Sequence, residues 1–322
     1  MRGPHIAIEH LWATANAHTQ YSNSAKCSRG SVAKILVILA ISVTAGGAWA
    51  ADPPREQAIK IVVLVQRADY EGDRIALKRL YAELTSFVGK KELVVRVRYW
   101  RGFALWRRAI NGFNESADPR DLELDLQDAV VEFNEAAASD SSFADAKIAA
   151  ASCLGYLAYL HQKDQAQVQT YVGKIRLLLQ DVWASAPDNP RLYWVLGQMD
   201  WSRPVEKGGG QAKAFEMYEK GLEAIRKRKT ITAIDPLEPS WGEPELLMNL
   251  AWSNLNRATP DLNAAEKYAH SALALVPYWH YVRDILMLQI REAKRADNRT
   301  GARSDGVTQR RDYCSRYAGA RL

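Results

Sequence analysis

The chain has 322 residues, enough for one or two domains with a sizeable core. Apolar residues make up 48% and charged residues 25%, the balance of a globular protein. The net charge of +6 is uneven: residues 51–290 hold 30 Lys and Arg against 32 Asp and Glu, and 291–322 hold 9 against 4, so no basic nucleic-acid-binding face is expected on the body.

Residues 1–31 are polar and without periodicity and read as an unstructured leader. They precede a lysine, an apolar run from Ile35 to Ala45 and the small-residue end Ala48-Trp49-Ala50. That order is a secretory signal over 32–50, with cleavage expected between Ala50 and Ala51 and delivery to the periplasm or beyond. The apolar run is too short to span a bilayer comfortably, so no stable membrane anchor is expected after cleavage. A leader of this length does not fit a signal, and Val32 is the natural candidate for the translation start.

From Ala51 the hydrophobic pattern is helical almost throughout. Paired amphipathic segments are expected at 55–69 with 73–88, 93–114 with 121–138, 143–162 with 165–186, 190–202 with 210–227, and 243–258 with 261–276. A last helix, 277–296, closes the domain 51–296. "ELVVRVRYW" from Glu92 alternates like a strand, but Tyr99, Phe103, Trp106, Ile110 and Phe113 recur at steps of three and four and favour one long helix. Asn189-Pro190 opens a helix with proline in its first turn. Ser240-Trp241-Gly242-Glu243 fits a capping box, with Ser240 as cap and Glu243 reaching back. The longest internal loop is 230–239. The arginine-rich stretch 297–322 reads as a disordered basic tail.

Helix pairs every 35–45 residues call for a repeat search. Ala265, Ala269, Ala272 and Pro277 form one unit; Ala129, Phe133 and Ala136 a second; Ala214, Tyr218 and Gly221 a third. Leu196-Gly197, Leu250-Ala251 and Ala150-Ala151 stand in the preceding helices. Small residues let antiparallel helices approach, and a ring fills the gap to the next. In this pattern the chain resembles the tetratricopeptide repeat and exported bacterial helical-repeat proteins. The resemblance implies an all-α fold of about five helix pairs stacked as an α-solenoid, with a closing helix. It also implies protein or peptide binding on a concave face.

Catalytic chemistry finds little support. Gly208-Gly209-Gly210 lacks the G-K-[ST] of a phosphate loop and follows a helix, not a strand, so it reads as an elongated turn. His161, His270 and His280 show no metal-ligand spacing, and Cys27, Cys153 and Cys314 form no C-x-x-C pair. No G-x-S-x-G is present. No catalytic residue, metal or cofactor is expected.

Eight of the ten tryptophans lie beyond the signal, and many of them are expected in the core. Extending the repeat phase points Tyr99, Phe103, Trp106, Tyr156, Trp194, Gln198, Trp201 and Trp252 towards the concave face. Arg96, Arg107, Asp145 and Arg191 fall at its edges. Aromatic and arginine side chains make binding hot spots, so these positions are the candidate partner-binding surface. The leading expectation is a non-catalytic exported scaffold binding a protein or peptide. The alternative is a periplasmic small-ligand binder, a helical accessory protein of a solute-uptake system. An open groove favours the first, and a closed pocket of about 300–1,000 Å³ the second.

Overall fold

The computed structural model describes residues 53–228 and 235–299. The leader, the signal with its cleavage site, and the tail from residue 300 lie outside the described residues. Every described element is helical, as expected. In chain order these are α1 Pro54–Glu71, α2 Arg74–Glu83, α3 Val94–Asn114, α4 Pro119–Ser139, α5 Ala144–Leu160, α6 Gln165–Ser185, α7 Pro190–Ser202, α8 Gln211–Arg228, α9 Glu243–Asn256 and α10 Leu262–Leu275. The last, α11, covers 280–299 and opens with π-helical turns over Tyr281–Leu286. It runs three residues past 296, the expected end of the helical domain.

The helix starts follow from short polar residues. Asp73, Asp118, Asp164, Asn189 and Asp261 each accept a hydrogen bond from a first-turn backbone N–H that would otherwise be orphaned. Pro54, Pro119 and Pro190 occupy first positions, where no N–H is needed. The alternating stretch at Glu92 is helical from Val94, so its three-four period prevails. The cap at α9 differs from the expected box. Glu245, not Glu243, reaches back, accepting from Gly242 N at 2.7 Å. Ser240 instead donates its hydroxyl to Gln66 at 2.9 Å.

Successive helices pack as neighbouring pairs through small-for-large exchanges. A Cβ on Gly102 of α3 would stand 2.9 Å from the Phe133 ring of α4. One on Gly197 of α7 would overlap the Tyr218 ring of α8, and one on Gly221 would meet Leu246 of α9 at 2.8 Å. These contacts leave no room for a methyl group, which is why glycine stands there.

Two features turn the row of pairs into a closed body. The first is the segment 235–242, which crosses the inner side of α3 and is fixed at each step. Asp235 pairs with Arg55 at 2.6 Å. Trp100 Nε1 donates to Leu237 O at 2.8 Å, and Arg96 Nε to Glu238 at 2.7 Å. Arg191 donates to Pro239 O, and Trp241 Nε1 to the Tyr99 hydroxyl at 2.7 Å. The second feature is the return of the chain end to its start. Tyr70 of α1 meets Trp279 edge-on at 5.0 Å and Tyr278 at 6.4 Å, and Arg67 lies over Tyr278. His280 packs on Gly72, whose φ of 75° lets the chain turn out of α1. The helices therefore surround a central space.

Candidate functional site

The central space narrows to a cavity of about 100 Å³. Its aromatic wall comes from Tyr156 of α5, Trp194 of α7, Tyr218 of α8, Trp252 of α9, Trp279 just before α11 and Tyr281 in its first turn. Ile110 and Met248 add apolar surface. The polar wall is Arg107, Asn111 and Asn114 on one face of α3, Gln198 on α7 and Asn249 on α9. Helical spacing explains the grouping: residues 107, 111 and 114 are spaced by four and three, 194 and 198 by four, and 249 and 252 by three.

Of the sequence-derived candidates, Arg107, Tyr156, Trp194, Gln198 and Trp252 meet at this cavity. Tyr99, Phe103 and Trp106 do not. They are at most 1% exposed and belong to the core. Their helix face was identified, but segment 235–242 covers it: Trp241 lies 6.2 Å from Phe103 and 5.4 Å from Trp106, and it bonds Tyr99. Arg96 and Arg191 are likewise occupied. Arg96 pairs with Glu238 and sits 3.9 Å over Phe143, and Arg191 pairs with Asp145 and lies over Trp241. Trp201 stands behind the wall, edge-on to Trp252 at 5.3 Å, and supports that ring instead of lining the space. The glycine loop 208–210 contributes nothing to the lining. Gly210 N donates to Asp200 O at 2.7 Å and closes the turn after α7.

Sequence reasoning missed Ile110, Asn111, Asn114, Met248, Tyr218, Asn249, Trp279 and Tyr281. Tyr218 served there only as the ring of a packing motif. Asn249 falls one turn before Trp252, and Trp279 and Tyr281 lie in the aromatic run Tyr278-Trp279-His280-Tyr281, which was a usable signal.

Arg107 stands in a buried ionic network. Its Nε donates to Asp69 at 2.8 Å, and a terminal nitrogen lies 3.8 Å from Glu245. Tyr70 donates its hydroxyl to Glu245 at 2.8 Å, and Asn111 donates to the backbone oxygen of Asp69 at 3.0 Å. Asp69, Arg107 and Glu245 are 2%, 4% and 0% exposed. Burial pushes the Asp69 carboxyl above the usual range, against the pull of Arg107. Burial also opposes the Arg107 charge, yet Asp69 and Glu245 outweigh it and hold the guanidinium fully protonated. One cation thus faces two carboxyl groups.

The remaining polar groups are neutral. Burial holds the Tyr156 phenol up at about 12 and raises Tyr218 and Tyr281 further. Among the lining residues, the indole N–H of Trp194 and the amide nitrogen of Asn249 are buried without a partner. The Tyr218 hydroxyl lies close enough to Ser253 and Asn249 for them to favour its phenolate, but no hydrogen-bonding geometry is reached. In the same core Trp100 and Trp241 have their N–H groups bonded, whereas that of Trp106 is also without a partner.

No group of three or more metal-ligating side chains occurs among the described residues. A second hollow of about 620 Å³ lies by Arg191 and Trp241, ringed by Asp145, Arg228, Glu238 and Glu243 with both signs of charge.

No family model and no curated protein matches the chain. Among solved structures, the HusA haemophore from Porphyromonas gingivalis is similar, with a TM-score of 0.51 and 17% identity over 67% of this chain and 100% of that one. At that identity the likeness is one of fold.

Proposed function

We propose that the protein is an exported, non-catalytic binder that takes a small, flat, ring-bearing ligand into the central cavity. The carrying observation is the cavity itself: about 100 Å³ between six aromatic side chains of the helical array. An apolar cavity of about 150 Å³ is enough for a benzene ring, so this one, about two thirds of that, takes a single ring with a small outward shift of its walls. It lies well below the roughly 300–1,000 Å³ of sites that engulf a whole drug-sized molecule. The long peptide groove expected from the repeat phase is occupied by 235–242, which favours a compact ligand over an extended one. The signal-like segment 32–50 supports export.

The fold likeness to a haemophore makes haemin the first larger probe. As cargo it would enter by one edge and be held by stacking. The neutral phenols of Tyr156, Tyr218 and Tyr281 are poor iron ligands until the metal itself removes their protons.

A second reading is supported by the same single-ring volume: an aromatic side chain of a peptide partner would anchor there. Titration of the protein from Ala51 with one-ring compounds, haemin and aromatic peptides, followed by tryptophan fluorescence, tests both. Wild-type affinity in a folded Gln198→Phe variant, which narrows the cavity, would sink the proposal.

A further inference from the structure

A second, smaller space adjoins the cavity and bears on the shape of its ligand, given the ligand-binding role just proposed. It is a slot of about 40 Å³ between α5 and α7, lined by Ala151, Ser152 and Gly155 on one side and Val195 and Met199 on the other. Tyr156 and Gln198 line both the slot and the cavity, so the two spaces share a wall. Tyr156 is held there by stacking on Phe113 at 5.4 Å. Gln198 is half-buried and makes no side-chain hydrogen bond to any described residue. A change of its rotamer therefore joins the two spaces without moving a helix.

Gly155 distinguishes the slot from an ordinary packing gap. Glycine is disfavoured inside a helix, and Gly155 lies well within α5. Gly102, Gly197 and Gly221 have a packing reason, since a Cβ on each would strike a neighbouring side chain. A Cβ on Gly155 would meet nothing within 4 Å, and its φ is not positive, so the fold does not require glycine there. Gly173 of α6 is equally unopposed but lines none of the hollows described. At position 155 the missing side chain leaves space open beside the cavity. No charged residue lines the slot, and its accessible surface is largely apolar. We infer that the slot receives a short, uncharged, apolar arm of the ligand while its ring lies in the cavity. On a scale of about 150 Å³ for the six carbons of benzene, the slot takes one or two carbon atoms. The ligand class is then a ring bearing an alkyl group of about ethyl length, not a bare ring.

The test compares benzene and ethylbenzene by NMR titration of the 15N-labelled protein. Ethylbenzene is expected to bind about 15-fold more tightly than benzene, from two buried carbons at about fourfold each. Gly155→Leu fills the slot without a clash; it should leave benzene affinity within about twofold of wild type and cut the ethylbenzene preference to about threefold or less. Ala151→Val fills the slot from one helical turn earlier and should do the same, and either variant suffices if the other fails to fold. Equal binding of the two compounds by the wild type, or an undiminished preference in a folded slot-filled variant, overturns the inference. So does an equal loss of both compounds in that variant, which would make the slot a route of entry instead of a seat for the arm. In each of these cases benzene binding by the wild type leaves the single-ring cavity reading standing. Absence of binding by both compounds removes that reading and the inference with it.

Discussion

Arg107→Met is the sharpest perturbation of the ionic network beneath the cavity. Methionine fills much of the guanidinium stem but leaves Asp69 and Glu245, both at most 2% exposed, without their cation. Tyr70 and Gly242 still donate to Glu245, and Asn111 still donates to Asp69, so each carboxyl keeps some bonding. Breaking one side of a buried ion pair costs about 3–5 kcal/mol, and that is the expected loss at pH 7 by urea unfolding. The sign of the pH dependence follows from Asp69. Its folded pKa is already raised by burial and rises further once Arg107 is gone. A carboxyl with a raised folded pKa stabilises the fold when protonated, and that contribution fades as pH climbs through the folded value. The deficit should therefore shrink between pH 7 and pH 5. Asp69→Asn placed on the variant should recover roughly 2 kcal/mol at pH 7 by removing one uncompensated charge. A loss under about 1 kcal/mol, or a deficit independent of pH and of Asp69, would refute the network as described.

Two further substitutions probe the frame. Gly197→Ala drives a methyl into the Tyr218 ring; overpacking of about 1–3 kcal/mol, less roughly 1 kcal/mol of helix propensity, leaves a net loss of about 0–2 kcal/mol by urea unfolding. Because Tyr218 also lines the cavity, the affinity for one-ring ligands should fall in the same variant. Asp261→Ala removes the bond from Ala264 N at 2.9 Å and should cost about 1 kcal/mol, with ligand affinity unchanged because α10 stands outside the lining.

Helix positions were well marked in the sequence. Proline, aspartate and asparagine at the starts fixed most boundaries to within a residue or two, and the three-four period of Tyr99, Phe103 and Trp106 named the right face of α3. What covers that face was not encoded locally. Periodicity reports that a side chain is buried, not which distant segment buries it. Segment 235–242 shows no helical period of its own, so the core and the cavity wall could not be told apart. The cap at Ser240 failed for a related reason. Two capping geometries lay two residues apart, and the choice was settled by Gln66 and Tyr70, more than 170 positions away.

The joining of Tyr70 to Glu245, and of Arg55 to Asp235, spans 175 and 180 residues of chain. Contacts so distant in sequence form late in folding, after the local hairpins have collapsed. The cavity is therefore completed last, because Trp279 and Tyr281 must arrive before it has a wall on that side. A nascent chain still lacking α11 already contains the helix pairs but not the complete cavity wall. Under the proposed export and ligand binding, that order would keep the binding state out of reach until the whole polypeptide had been delivered.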